Sequence, residues 1–254
     1  MALILGAVHT GDINLDTALG NYPGVVDAIT TSSYQTANTA TVEADVWAGT
    51  GNMTWFQAAT LLEVISSSAN DAAAGTGTRT IFLSGLDTNW LPISETVILN
   101  GTNAVPTTLS YLRLNRAVCM TSGTWGGANI GVITIRGVTA GPVQGVIPIQ
   151  LGRLAKSHFS IPAGKKFVIR SINLGCDTTG VVTFRLYIRD GSAVAAPFGT
   201  KQLGLIYYGV QWAYTDALTN LPALLPKIDC WITATPTASN VGLFCDVQGV
   251  QISS

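Results

Sequence analysis

The chain has 254 residues, of which 11% are charged, against about 25% in an average soluble protein; its net charge is −1 and its mean hydropathy +0.37. A soluble monomer this poor in charge has few groups to keep it dispersed, which leaves a membrane protein or a chain whose surface is covered by partners. No run of about 20 apolar residues offers a spanning helix, Arg113 and Arg185 sit mid-strand where a transmembrane barrel disfavours charge, and no cluster of Lys and Arg beyond Arg113 with Arg116 invites nucleic acid.

Residues 1–40 are rich in Thr, Asn and Ser and read as an extended N-terminal arm or loop-rich lead-in. Residues 1–8 are apolar but lack a basic flank and are too short for a secretion signal, so folding inside a cell is expected. From residue 42, strand signals recur between turn residues. Segments 61–66, 78–84 and 93–99 read as strands, the last ended by Asn100-Gly101, a hairpin signal because both residues accept positive φ. Segments 111–119 and 131–137 follow, separated by Gly126-Gly127.

The stretch 137–142, with Gly and Pro, is a candidate domain boundary. Beyond it come 146–151 and 157–161, then a tight turn at Pro162-Ala163-Gly164-Lys165. Segments 166–174 and 181–189 read as a hairpin across 177–180, and 228–234 with 242–252 as the final pair. Segment 215–225 gives at most one short helix, because Pro222 interrupts it. The expected fold class is all-β: one or two antiparallel β-sandwich, jelly-roll-like domains behind the arm, divided as 1–40, 41–140 and 141–254. No fixed repeat supports a propeller or solenoid.

Little in the chain reads as chemistry. The two histidines, His9 and His158, lie in no recognisable catalytic motif, although a triad can assemble from distant positions. Glu43 and Asp45 alternate and would share a strand face; paired carboxylates suit glycosidases, but a solvated strand edge is the reading preferred. Gly75-Thr76-Gly77-Thr78-Arg79 resembles the start of a phosphate loop but lacks a third glycine and a following helix, so it reads as a turn. The sequons at Asn52 and Asn100 are uninformative without a signal peptide. Cys119, Cys176, Cys230 and Cys245 form no C-x-x-C pair and read as buried free thiols. No calcium loop or zinc spacing appears, so neither metal nor cofactor is expected.

Aromatic residues are the candidate contact sites. Trp47, Trp55, Trp90 and Trp125 lie in the first half, three of them in turn-like sequence; Tyr207, Tyr208, Trp212 and Tyr214 form a second cluster. A rigid ring gives a large contact at low entropic cost, so exposed Trp on loops can bind sugars or proteins. The competing and preferred reading is that the first group plugs the ends of a sandwich. The second group, with Tyr208 and Trp212, could be an intersubunit contact.

The segments Glu43-Ala44-Asp45-Val46-Trp47, Val64-Ile65-Ser66-Ser67-Ser68-Ala69-Asn70-Asp71, Gly75-Thr76-Gly77-Thr78-Arg79-Thr80, Gly85-Leu86-Asp87, Glu95-Thr96-Val97-Ile98-Leu99-Asn100-Gly101-Thr102, Tyr111-Leu112-Arg113-Leu114-Asn115-Arg116 and Ile161-Pro162-Ala163-Gly164-Lys165 follow one another in order along the chain. In that order they resemble a family of virion-associated structural proteins of tailed bacteriophages, especially aquatic ones. The likeness spans about the last four-fifths of the chain. It implies a part of a phage particle assembled in the host cytoplasm, with other virion proteins as partners, and brings no catalytic residues. The expectation that follows is a non-enzymatic capsid decoration or cement protein, as a homotrimer. A tail, neck or fibre component that touches a host glycan or protein is the alternative, and a glycan-active enzyme the third reading.

Overall fold

Buried residues alternate with more exposed ones along segments 62–66, 81–85, 133–137 and 182–186, as a half-buried sheet requires. The structure is a computed structural model. It describes residues 25–38, 41–177, 181–191, 202–209, 214–217, 223–238 and 241–253, giving the backbone course alone for 25–38, 202–209 and 214–217. The described residues form sixteen strands and no helix, so none is long and apolar enough to cross a membrane. Every strand pairing is antiparallel.

In chain order the strands are β1 (Val25–Asn38), β2 (Ala44–Asp45), β3 (Thr60–Ser66), β4 (Thr78–Leu86), β5 (Pro92–Ile98), β6 (Val105–Tyr111), β7 (Arg113–Ser122) and β8 (Ile133–Gly137). They continue with β9 (Val143–Ile147), β10 (Phe159–Ser160), β11 (Lys165–Cys176), β12 (Val182–Asp190), β13 (Gln202–Gly209), β14 (Tyr214–Ala217), β15 (Ile228–Pro236) and β16 (Val241–Ser253).

Two sandwiches result. In the first, sheet β6-β3-β8-β9 faces sheet β5-β4-β7. Leu62, Val64, Ile81, Leu83, Ile133 and Ile135 meet between them, all wholly buried. In the second, sheet β1-β16-β11-β14 faces β10-β15-β12-β13, where β2 also pairs with β15. Its core includes Phe167, Ile172, Phe184, Ile232, Leu243 and Val247, together with Val46 from the segment after β2. The first core draws on residues 56–154, the second on Val46 and on 159–247.

Most strands fall where the alternation places them, but three pairings differ. Segments 166–174 and 181–189 become β11 and β12, which lie in opposite sheets of one sandwich rather than in a hairpin. The final pair, β15 and β16, likewise divides between the sheets. Asn100-Gly101 ends β5 with Gly101 at φ 61°, yet β5 and β6 also join different sheets. Residues 214–217 of the expected short helix form β14, paired with β11, and 218–222 lie outside the described residues. Residues 138–142 reverse the chain between β8 and β9, with Thr139 and Ala140 at φ 58° and 56°. Residues 25–38 of the expected arm form β1, an edge strand on β16, and residues 1–24 lie outside the described residues.

Candidate functional site

The chemically richest region is the seam where the two sandwiches meet. Arg113 comes from β7 and Asp229 from β15, 2% and 0% exposed. The pair is bidentate: Arg113 Nε donates to Asp229 Oδ1 at 2.8 Å and Nη2 to Oδ2 at 2.9 Å. Nη1 donates to the carbonyls of Phe56 and Leu112. Asp229 also accepts from Arg189 Nη2 of β12 at 2.8 Å and from Ser160 Oγ of β10 at 2.5 Å. A charge buried this deeply survives only when its lone pairs and protons are matched in this way.

Aromatic rings enclose the ions. The Arg113 guanidinium lies 5.0 Å from the ring centres of both Trp55 and Trp90, and that of Arg189 lies 4.8 Å from Trp55. Cations over aromatic faces gain from the ring quadrupole, more so where water is excluded. Trp231 packs edge-on to Trp55 and stacks with Tyr187. Trp90 is set by a turn in which Asp87 Oδ1 accepts from the amides of Asn89 and Leu91; the turn holds Trp90 at φ 65°, a left-handed conformation unusual for a bulky residue. Asn115 adds a two-bond bridge from β7 to the backbone of Ser160.

A second part of the seam holds His158, Asp45 and Lys156. His158 is wholly buried, its Nε2 2.9 Å from Asp45 Oδ2. Burial pulls its pKa below the usual imidazole range, against the opposing pull of Asp45. The ring is therefore neutral at neutral pH, and Nε2–H donates to the carboxylate. Its Nδ1 has no hydrogen-bond partner among the described residues. Asp45 Oδ2 also accepts from the Met53 amide. Asp45 is thus buried and bonded, not at a solvated strand edge, whereas Glu43 stays half-exposed, accepting from Thr233 Oγ1 and lying 3.7 Å from Arg185. Among the described residues no serine or cysteine bonds to His158: Ser157 Oγ exchanges hydrogen bonds with the Ile232 backbone, and Ser160 Oγ serves Asp229.

Elsewhere, polar motif residues organise loops. Asp71 is wholly buried and accepts from the amides of Thr78, Ile130 and Gly131 and from Ser66 Oγ. The Gly75–Thr78 turn therefore wraps an internal carboxylate; a Cβ at Gly77 would strike Asp71, and one at Gly75 would strike the Asn70 carbonyl. Cys176, Cys230 and Cys245 are buried and Cys119 half-buried, and none of the four is in a disulfide.

The aromatic candidates divide sharply. Trp47 and Trp90 are 2% and 3% exposed, Trp55 is half-buried, and all three line or adjoin the seam. Trp125 is 51% exposed on the 123–128 loop. Tyr208 lies on β13 opposite Thr183, with its side chain outside the described residues, as is the whole of Trp212. Sequence reasoning missed Arg113, Lys156, Arg189, Asp229 and Trp231 as members of one cluster. The available signal was the ionic residue set inside an apolar run, as Asp229 is before Cys230-Trp231-Ile232. An open cleft of about 370 Å³ lies beside the seam, lined by Trp47, Thr50, Asn52, Thr54, Thr134 and Val143 among others, with no charged group on its walls.

No protein-family model matches the chain, and no curated protein does. Among solved structures it is weakly similar to the crystal structure of the infectious bursal disease virus VP2 subviral particle, at 9% identity over 91% of this chain and 82% of that one, with a TM-score of 0.15. It is also weakly similar to the structure of the infectious bursal disease virus Gx strain, at 9% identity over 89% and 80% of the two chains, with a TM-score of 0.14. Likeness at these scores carries no weight for fold or function.

Proposed function

We propose that this chain is a non-enzymatic structural protein of a tailed-phage particle, a decoration or cement protein that sits on the capsid shell as a homotrimer. The observation that carries the reading is where its few charges go. At least five of the chain's 13 basic and 14 acidic residues (Asp45, Asp71, Arg113, Lys156 and Asp229) are buried. That leaves at most 22 charged residues for the surface of a 254-residue chain, while Met120, Trp125 and Ile149 are each more than half exposed. A surface of this kind suits a protein covered by neighbours. Interlocked charges at the seam, with Asp229 accepting from Arg113, Arg189 and Ser160, suit a part that bears load.

The test is the copy number per purified virion, by quantitative mass spectrometry against the major capsid protein. Hundreds of copies support shell decoration. A few to some tens overturn it in favour of a tail, neck or fibre position, a second reading favoured by exposed Trp125. On that second reading Trp125→Ala reduces host adsorption, whereas Trp47, being buried, offers a receptor nothing to grip. Absence from the virion removes both readings.

A further inference from the structure

Lys156 is 4% exposed, and its Nζ reaches one oxygen, the Gln144 carbonyl at 3.2 Å, and one sulfur, Met53 Sδ at 4.0 Å. Among the described residues no carboxylate lies within 4 Å of it. Its charged neighbours are Arg113 of β7, which repels an ammonium, and Asp229 of β15, already shared by two guanidinium groups. His158, two residues on, faces Asp45 of β2, Lys156 and Asp229, and Arg189 of β12 completes the charged groups at the seam. An ammonium with one oxygen acceptor is a poor fit to a dry site, whereas a neutral amine is satisfied there. Burial, with help from Arg113 and against Asp229, accordingly pulls Lys156 down to about 7.

The placement of these two residues gives their protonation mechanical meaning. Segment 155–158 is the crossing between the sandwiches. Ala155 accepts from the Ala48 amide, Lys156 bridges Trp47, and Ser157 donates to the Val46 carbonyl. An ion forced to hydrate here must part the strip 46–48 from segment 155–158.

We propose that Lys156 and His158 form a proton-sensitive lock on this seam: neutral, they hold it closed, and by taking up protons they loosen it and let the two sandwiches reorient. The sign follows from linkage. The closed seam binds fewer protons than the open one wherever its groups are held below their ordinary pKa values, so opening is favoured as pH falls. For Lys156 that window runs from 10.5 down to about 7, where the effect levels off; for His158 it begins below 6.5. Across the Lys156 window the opening constant rises towards about tenfold per pH unit.

The test is hydrogen exchange with mass spectrometry on the full-length protein, from about pH 10 to about pH 5, corrected for intrinsic exchange chemistry. Peptides covering 155–161 report the seam, and β4 and β16 report unfolding of the cores. The expected seam protection falls towards acid in two limbs while the core strands hold. Lys156→Met erases the upper limb and His158→Gln the lower. A flat wild-type profile, an upper limb that survives Lys156→Met, or core strands that lose protection in step with the seam each overturn the proposal. Should Lys156→Met fail to fold, the wild-type profile still decides, since a flat seam beside protected cores is incompatible with a lock.

Discussion

Asp229 accepts from Arg113 through two nitrogens, from Arg189 and from Ser160, and no part of it touches water. A buried pair of this kind adds modest net stability when intact, since desolvation offsets most of the attraction. Removing one partner is another matter. Asp229→Asn leaves two guanidinium groups in a dry seam without a counter-charge, and the expected loss is about 3–5 kcal/mol. Urea unfolding followed by tryptophan emission measures it, because Trp47, Trp55, Trp90 and Trp231 surround the ions. A loss below about 1 kcal/mol, the level of an exposed ion pair, would show that the seam is hydrated in solution. At this scale the sequence was a poor guide. Arg113 and Asp229 stand 116 positions apart, and a charge on a strand looks the same whether it points to water or to a partner. Glu43 and Asp45 illustrate the point: alternate residues in one motif, they end as one half-exposed and one buried carboxylate.

Strands were legible because their signal is local, and pairings were not because theirs is not. Period-two alternation marks 61–66 and 78–84 closely, since each puts one face against a core, whereas 228–234 is buried on both faces, one against the core and one in the seam. β6 was missed because Pro106, Thr107 and Thr108 dilute its apolar face; it is held from outside, Glu95 accepting from the amides of Thr108 and Leu109. A turn signal fixes where the chain reverses but not which sheet it rejoins, hence the misread β11–β12 hairpin. The turn after β12 shows what the reversal demands. A Cβ at Gly191 would collide with the Trp90 ring and the Asp229 carboxylate, both already locked in place. Gly191→Ala is therefore expected to cost about 1–3 kcal/mol by overpacking. Thermal unfolding checks it. Gly126→Ala is not a fair control, because its φ of +69° penalises any side chain.

For the whole molecule, composition was more informative than any motif. Low charge pointed to a covered surface, and the fold places at least five of the few charges inside, so the remainder does little to keep copies apart. The physical consequence concerns how copies associate. With few exposed ions, contacts must rest on apolar area, and apolar contacts are nearly indifferent to screening salt. Sedimentation velocity at micromolar concentration should find an oligomer whose stability changes little between low and about 1 M salt. Trp125, 51% exposed on its loop, is the largest apolar side chain available to such a contact among the described residues. Trp125→Ala should shift the oligomer towards monomer while changing the unfolding free energy of the subunit by no more than about 0.5 kcal/mol, as expected for a surface position. A salt-labile oligomer would place the contact on charged groups such as Arg116 and Arg170 instead. A stable monomer would remove the premise that low charge reflects covering, and with it the main support for a place in a larger assembly.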